Sequence, residues 1–157
     1  MIERLLSLVK EVDGSAEIVG NAFPPTLSVS RNALPDAARV LHSSPAAYFD
    51  QLSCVTGVDN GPEANTMEVI YHLYSIPFNV SLALKVTLNR DNPEVESLCS
   101  IWKSANWLER ETYDMLGIRF INHPDLRRLL MPADWEGFPL RKDYQEMDTY
   151  REVKVKY

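Results

Sequence analysis

Between Val80 and Asn89 the chain alternates with period two. Leu82, Leu84, Val86 and Leu88 are apolar, and Ser81, Ala83, Lys85 and Thr87 stand between them. That pattern turns one face to a core and the other to water, the habit of a strand in an antiparallel sheet. Two β-prone runs precede it, residues 52–58 and 67–75. Asp59-Asn60-Gly61-Pro62 closes the first, and Ile76–Asn79, which contains Pro77, separates the other two. The runs are contiguous and their connections short, so a series of hairpins fits better than parallel crossovers. The expected fold class is α+β: helices packed on one face of a mainly antiparallel sheet, followed by an irregular, Pro-rich C-terminal arm.

The flanking segments supply the helices. Ile2, Leu5, Leu6 and Val9 recur at helical spacing, which predicts an amphipathic helix over 2–12 that ends at Asp13-Gly14. Short strands are expected at Ile18-Val19 and over Thr26–Ser30. Leu34-Pro35-Asp36 opens a helix through Leu41, with proline at a position where its missing N–H matters little. Ser44-Pro45 reads as the start of another, carrying Ala47, Tyr48 and Leu52 toward the core. Asn92-Pro93-Glu94 has the residues of a helix start, with Val95, Leu98 and Trp102 as its apolar stripe. After a break near Ser104, a last helix runs from Ala105 to Leu116, with Leu108, Thr112 and Met115 on one face and Gly117 as its left-handed cap. Trp107, Glu111 and Asp114 share another face, which cannot be core unless its carboxylates are paired. Beyond Phe120, Pro124, Pro132 and Pro139 point to an extended arm, whose end at Arg151–Tyr157 alternates and can add a strand.

The chain's 157 residues, 45% of them hydrophobic, suit one domain overall: an α+β core over 1–120 and the arm over 121–157. A net charge of −6 argues against nucleic acid as a partner, which calls for a basic face. Cys54 and Cys99 form no CxxC pair and read as two buried thiols in a reducing compartment. No apolar run approaches the ~20 residues of a membrane-spanning helix. Glu3 and Arg4 interrupt the apolar start, so no signal peptide is expected and the protein reads as soluble and intracellular.

Charges and rings are densest from Glu109 to Tyr144. Arg110, Arg119, Arg127, Arg128, Arg141 and Lys142 alternate there with Glu109, Glu111, Asp114, Asp125, Asp134, Glu136 and Asp143, among Tyr113, Phe120, Trp135, Phe138 and Tyr144. Aromatics and arginines together are the composition of a partner surface. A folded loop held by surface ion pairs is the plainer alternative, each pair adding only ~0–1 kcal/mol.

Chemistry of the chain's own is harder to find. His42, His72 and His123 lack the spacings that bring metal ligands together. Two cysteines are too few for an iron–sulfur cluster, and no GxGxxG or GxxxxGK[ST] is present. Glu109, Glu111 or Asp114 with His123 could serve a free-standing acid–base enzyme, but neighbouring arginines are available to pair with those carboxylates.

The same stretch resembles the C subunit of the proton-pumping NADH–quinone oxidoreductase, respiratory complex I. The resemblance rests on Glu109-Arg110-Glu111, Asp114-Met115, Gly117-Ile118, Phe120 and His123-Pro124-Asp125-Leu126-Arg127-Arg128. It continues through Asp134-Trp135, Gly137, Pro139 and Leu140-Arg141-Lys142-Asp143-Tyr144, and reaches upstream to Leu52–Asp59 and Ala105-Asn106-Trp107. Phe138 and Gln145 depart from the usual pattern. The resemblance implies a structural subunit without a cofactor, on the cytoplasmic side of a bacterial inner membrane, that touches the membrane only through its complex. Its expected partners are the quinone-cavity subunit and the terminal iron–sulfur subunit. The expected contacts are Trp107, Glu109, Arg110, Glu111, Asp114, His123, Asp125, Arg127, Arg128, Asp134, Trp135, Arg141, Lys142 and Asp143. Related subunits of hydrogenase-type and plastid-type complexes are the alternative.

Overall fold

A computed structural model describes residues 2–155. In chain order these form α1 (Ile2–Lys10), β1 (Glu17–Ile18), β2 (Thr26–Ser28), α2 (Leu34–Ser43), β3 (Gln51–Asp59), β4 (Thr66–Ser75) and β5 (Val80–Asn89). There follow β6 (Glu94–Glu96), α3 (Ala105–Leu116), β7 (Arg119–Ile121), β8 (Thr149–Tyr150) and β9 (Val153–Lys154). Strands β3, β4 and β5 make the expected antiparallel meander, and the five-stranded sheet has the order β1-β2-β5-β4-β3. Strand β2 joins β5 in parallel, with Leu27 opposite Leu84.

The alternation in β5 has its expected consequence: Leu82, Leu84, Val86 and Leu88 are buried, together with Met67, Val69, Tyr71 and Leu73 of β4. They join one apolar core with Leu5 and Val9 of α1 and Leu34, Ala37, Ala38 and Leu41 of α2. On the other face Lys85 meets Glu68 at 3.1 Å. Neither thiol is fully buried as expected: Cys54 of the edge strand β3 is exposed and Cys99 half-buried. Helix α3 covers the free edge of β3. The Thr112 and Ser104 hydroxyls donate to the Val55 and Leu52 carbonyls at 3.3 and 3.0 Å. These bonds occupy acceptors that an open edge would offer to another chain. Close approach there requires Gly57, because a Cβ on it would collide with Leu116 Cδ1.

Two expected helices are absent. After Ser44 the chain makes a single turn, Tyr48 takes a positive φ of 40°, and Phe49 N–H returns to Leu41 O at 3.0 Å. This reversal buries Phe49 and delivers Leu52 into β3 rather than onto a helix. The segment opened by Asn92-Pro93-Glu94 is strand β6, paired in parallel with β7, Val95 opposite Phe120. Helix α3 is the crossover between them. Val95, Leu98 and Trp102 are buried as expected, but from a three-residue strand and the turn after it. Tertiary pairing with β7 overrides the local helix-start residues.

From Asn122 to Asp148 the chain contains turns and bends but neither helix nor strand. Strands β8 and β9 pair with each other in place of one strand over Arg151–Tyr157, whose last two residues lie outside those described.

Candidate functional site

Helix α3 carries two carboxylates inward, and the segment after β7 is built around one of them. Asp114 is fully enclosed. Its Oδ1 accepts from Arg128 Nη1 at 2.8 Å, and its Oδ2 accepts the backbone N–H groups of Leu129, Leu130 and Met131 at 3.0, 2.6 and 2.8 Å. Burial by itself would raise the Asp114 pKa. The three amides and the guanidinium outweigh it and hold the carboxyl below the ordinary aspartate range. Arg128 also donates to Gly137 O at 2.8 Å and stands over the Phe138 ring, whose other cation neighbour is Arg141. Phe138 in turn packs on Gly117, which has φ +73° and no room for a Cβ.

A second anchor lies at the far end of the sheet. Arg90 donates through Nε and Nη2 to the two carboxylate oxygens of Asp59 at 2.7 and 3.0 Å, and through Nη2 to Asp143 at 2.6 Å. Lys142 N–H adds 2.9 Å to the same Asp59. The Arg90 bonds, ahead of the other influences, hold the Asp59 pKa far below its usual value.

Glu109 lies beside a third cluster. Its Oε2 accepts from the Ser97 hydroxyl at 2.6 Å and its Oε1 from Leu98 N–H at 2.8 Å, with the Cys99 thiol at 3.6 Å. Cys99, Glu109 and His123 hold their ligand atoms within 4.8 Å of one another, a spacing compatible with zinc. The imidazole is otherwise engaged. Nδ1 accepts Asp125 N–H at 3.0 Å, so the ring proton sits on Nε2, which donates to Asn106 O at 3.0 Å. A metal would need the lone pair that this proton occupies, so the set does not fit one as it stands.

The remaining expected contacts lie nearer the surface. Trp107 is 62% exposed, and the Arg110 guanidinium covers its ring at 5.1 Å while donating to Arg127 O at 3.1 Å. Glu111 is exposed, and Arg127, whose side chain is 73% exposed, pairs with Asp125 at 2.9 Å. Asp134 takes Arg151 and Tyr150, Trp135 Nε1 donates to the Tyr144 hydroxyl, and Arg141 Nε donates to Leu116 O. A groove of about 500 Å³ opens beside Met131, Trp135, Pro139 and Tyr144. The helical face expected to unite Trp107, Glu111 and Asp114 is therefore divided: the first two face solvent and the third is enclosed. Arg90, Ser97 and Tyr71 join these clusters without any spacing pattern in the sequence to signal it.

Residues 27–150 match the family described as respiratory-chain NADH dehydrogenase, 30 Kd subunit. The chain belongs to this family. It is 44% identical over 124 residues to the C subunit of the NADH-quinone oxidoreductase of Chlorobium phaeobacteroides, covering 78% of this chain and 74% of that one. It is 43% identical over 128 residues to the corresponding subunit of Geobacter sulfurreducens, covering 81% and 78%. Among solved structures it resembles the trypsin-resistant fragment (1–134) of Nqo5, with a TM-score of 0.65, 27% identity, and coverage of 80% of this chain and 98% of that one. A chain of the membrane-bound sulfane sulfur reductase, an archaeal respiratory membrane complex, shares the fold at a TM-score of 0.75 and 22% identity, covering 99% of this chain and 98% of that one. The 30 Kd family thus accounts for the meander, α3 and most of the segment that follows.

Proposed function

We propose that this member of the 30 Kd family is a cofactor-free structural subunit in the membrane-extrinsic arm of a proton-pumping NADH–quinone oxidoreductase. It helps to build the quinone-reducing module on the cytoplasmic side of a bacterial membrane. The carrying observation is the 44% identity to a relative named as the C subunit of that enzyme. Its membrane contact is indirect; among the described residues no helix is long and apolar enough to cross a bilayer.

The enclosed carboxylates support a structural role. Glu109 and Asp114 are out of reach of any substrate, and their oxygens accept bonds from their own chain, which is the wrong arrangement for acid–base catalysis. Residues 1–120 serve as the core and 121–157 as the docking arm. Direct contacts fall to the exposed groups: Trp107, Glu111, Asp125, Arg127, Asp134, Lys142 and the half-buried Trp135. Asp143, half exposed, stands with them, while Glu109, Arg110, Asp114, Arg128 and Arg141 shape that surface from beneath, with His123 holding its start. The partners are the quinone-cavity subunit and the terminal iron–sulfur subunit. Affinity purification of the tagged chain from its own cells tests this reading: both partners are expected, together with an NADH-oxidising module. Recovery of a hydrogenase module in its place would assign the chain to the related complexes.

A further inference from the structure

Glu109 sits where four pieces of chain meet, and among the described residues it meets no strong cation. Its side chain is fully enclosed, and among the described residues its nearest basic partner is the His123 ring at 4.0 Å. Both ring nitrogens are engaged elsewhere, Nδ1 by Asp125 N–H and Nε2 by Asn106 O. Helix α3's next residue, Arg110, points away to Arg127 O. The turn after β6 contributes the neutral Ser97 hydroxyl, Leu98 N–H and the Cys99 thiol, which burial pushes up to about 11 so that it stays protonated. Glu96 of β6 adds like charge. Strand β4 contributes Tyr71, fully buried, whose hydroxyl has no hydrogen-bond partner and whose pKa is raised by burial and then by Glu109 and Cys99. Among the described residues, an ionised carboxylate here meets the neutral donors of Ser97, Leu98 and Cys99, and the Tyr71 hydroxyl beside the cluster lacks a partner.

We propose that Glu109 is a proton-binding site that seats this corner: protonated, it stays enclosed; ionised, it favours opening of the 97–101 turn and of the chain at His123 to water. Opening would hydrate both the carboxylate and the Tyr71 hydroxyl. It would also loosen the start of the segment that bears the Asp125–Arg127 pair. Burial moves the carboxyl from 4.5 up to about 7, against the pull of Ser97, Leu98 and Cys99. Because the closed form binds its proton more tightly than the open form, opening becomes easier as pH rises from about 4.5 to about 7, and changes no further above that.

Amide hydrogen exchange of the full chain tests this without any partner. Corrected for intrinsic exchange, the Leu98 and Cys99 amides are expected to exchange up to about tenfold faster per pH unit between 4.5 and 7, then level off. Glu109→Gln should remove that slope. A flat wild-type profile, or the same slope in Glu109→Gln, would overturn the proposal. Should that variant fail to fold, the carbon-13 titration of the wild-type Glu109 carboxyl decides: a midpoint near 7 supports it and one near 4.5 refutes it. Partner capture does not enter either readout, so this inference and the assembly reading fail separately.

Discussion

Arg90 and Asp143, fifty-three residues apart, meet at 2.6 Å, and the same guanidinium grips Asp59 at the end of β3. One arginine thus ties the segment after β7 to two strands of the meander. Asp59 and Arg90 are both almost wholly buried, so removing one partner strands the other. Arg90→Ala is expected to cost roughly 3–5 kcal/mol in urea denaturation, the range for an orphaned buried charge. A cost under about 1 kcal/mol would show that the pair is not closed from water.

Acid should expose the same pair. The folded-state Asp59 pKa is depressed below 3.8, so its stabilisation is present above that value and fades as pH falls below it. Thermal denaturation across pH 2–6 should show a downward slope on the acid side that flattens in a variant with both Asp59→Asn and Arg90→Met. An unchanged slope would assign the acid sensitivity to other carboxylates.

Asp114→Ala tests the second anchor. It leaves Arg128 and three backbone amides without their acceptor, and an unsatisfied buried donor costs ~1–3 kcal/mol apiece before relaxation. The relaxed outcome is loss of hydrogen-exchange protection at Leu129–Met131 and faster tryptic cleavage after Arg127 and Arg128, with the meander still protected. Protection retained at those three amides would contradict the bonds described.

Gly117→Ala combines a φ of +73° with a Cβ 2.5 Å from the Phe138 ring. It should destabilise by about 1–3 kcal/mol, as overpacking does, whereas Gly14→Ala, with nothing within 4 Å, should change little. Equal effects at both positions would show that the Phe138 ring does not constrain Gly117.

The fold is legible in the sequence where periodicity is long. Leu82 to Leu88 and the Ala105–Leu116 helix with its Gly117 cap reach across whole elements, and both are found where the pattern puts them. Strand β6 is not legible: three residues carry too short a period, and its partner β7 lies beyond an intervening helix. The turn at Pro45–Ala47 deceives for a related reason, since Ser-Pro opens helices and single turns alike, and Phe49 bonding back to Leu41 decides between them. At the site, the Glu109–Tyr144 composition marks the right region but not its division. Arg128 looks like a surface group in the sequence, yet Asp114 claims it. Arg90 and Tyr71, standing alone among strand residues, give no sign of the clusters they join.

A structural role, with docking through exposed groups of α3 and of the arm, is tested most directly in the assembled enzyme. Trp107→Ala with Arg127→Ala removes two exposed groups, a ring and a cation of the kind that dominates partner surfaces. Arg128 is left in place because it holds Asp114. Quantifying intact complex in the parent membrane, together with NADH–quinone turnover per assembled complex, is the decisive measurement. The predicted result is a normally folded chain, at least a several-fold loss of assembled complex, and near-normal turnover in what assembles. Full assembly with collapsed turnover per complex would contradict this role and move these residues from scaffold to reaction.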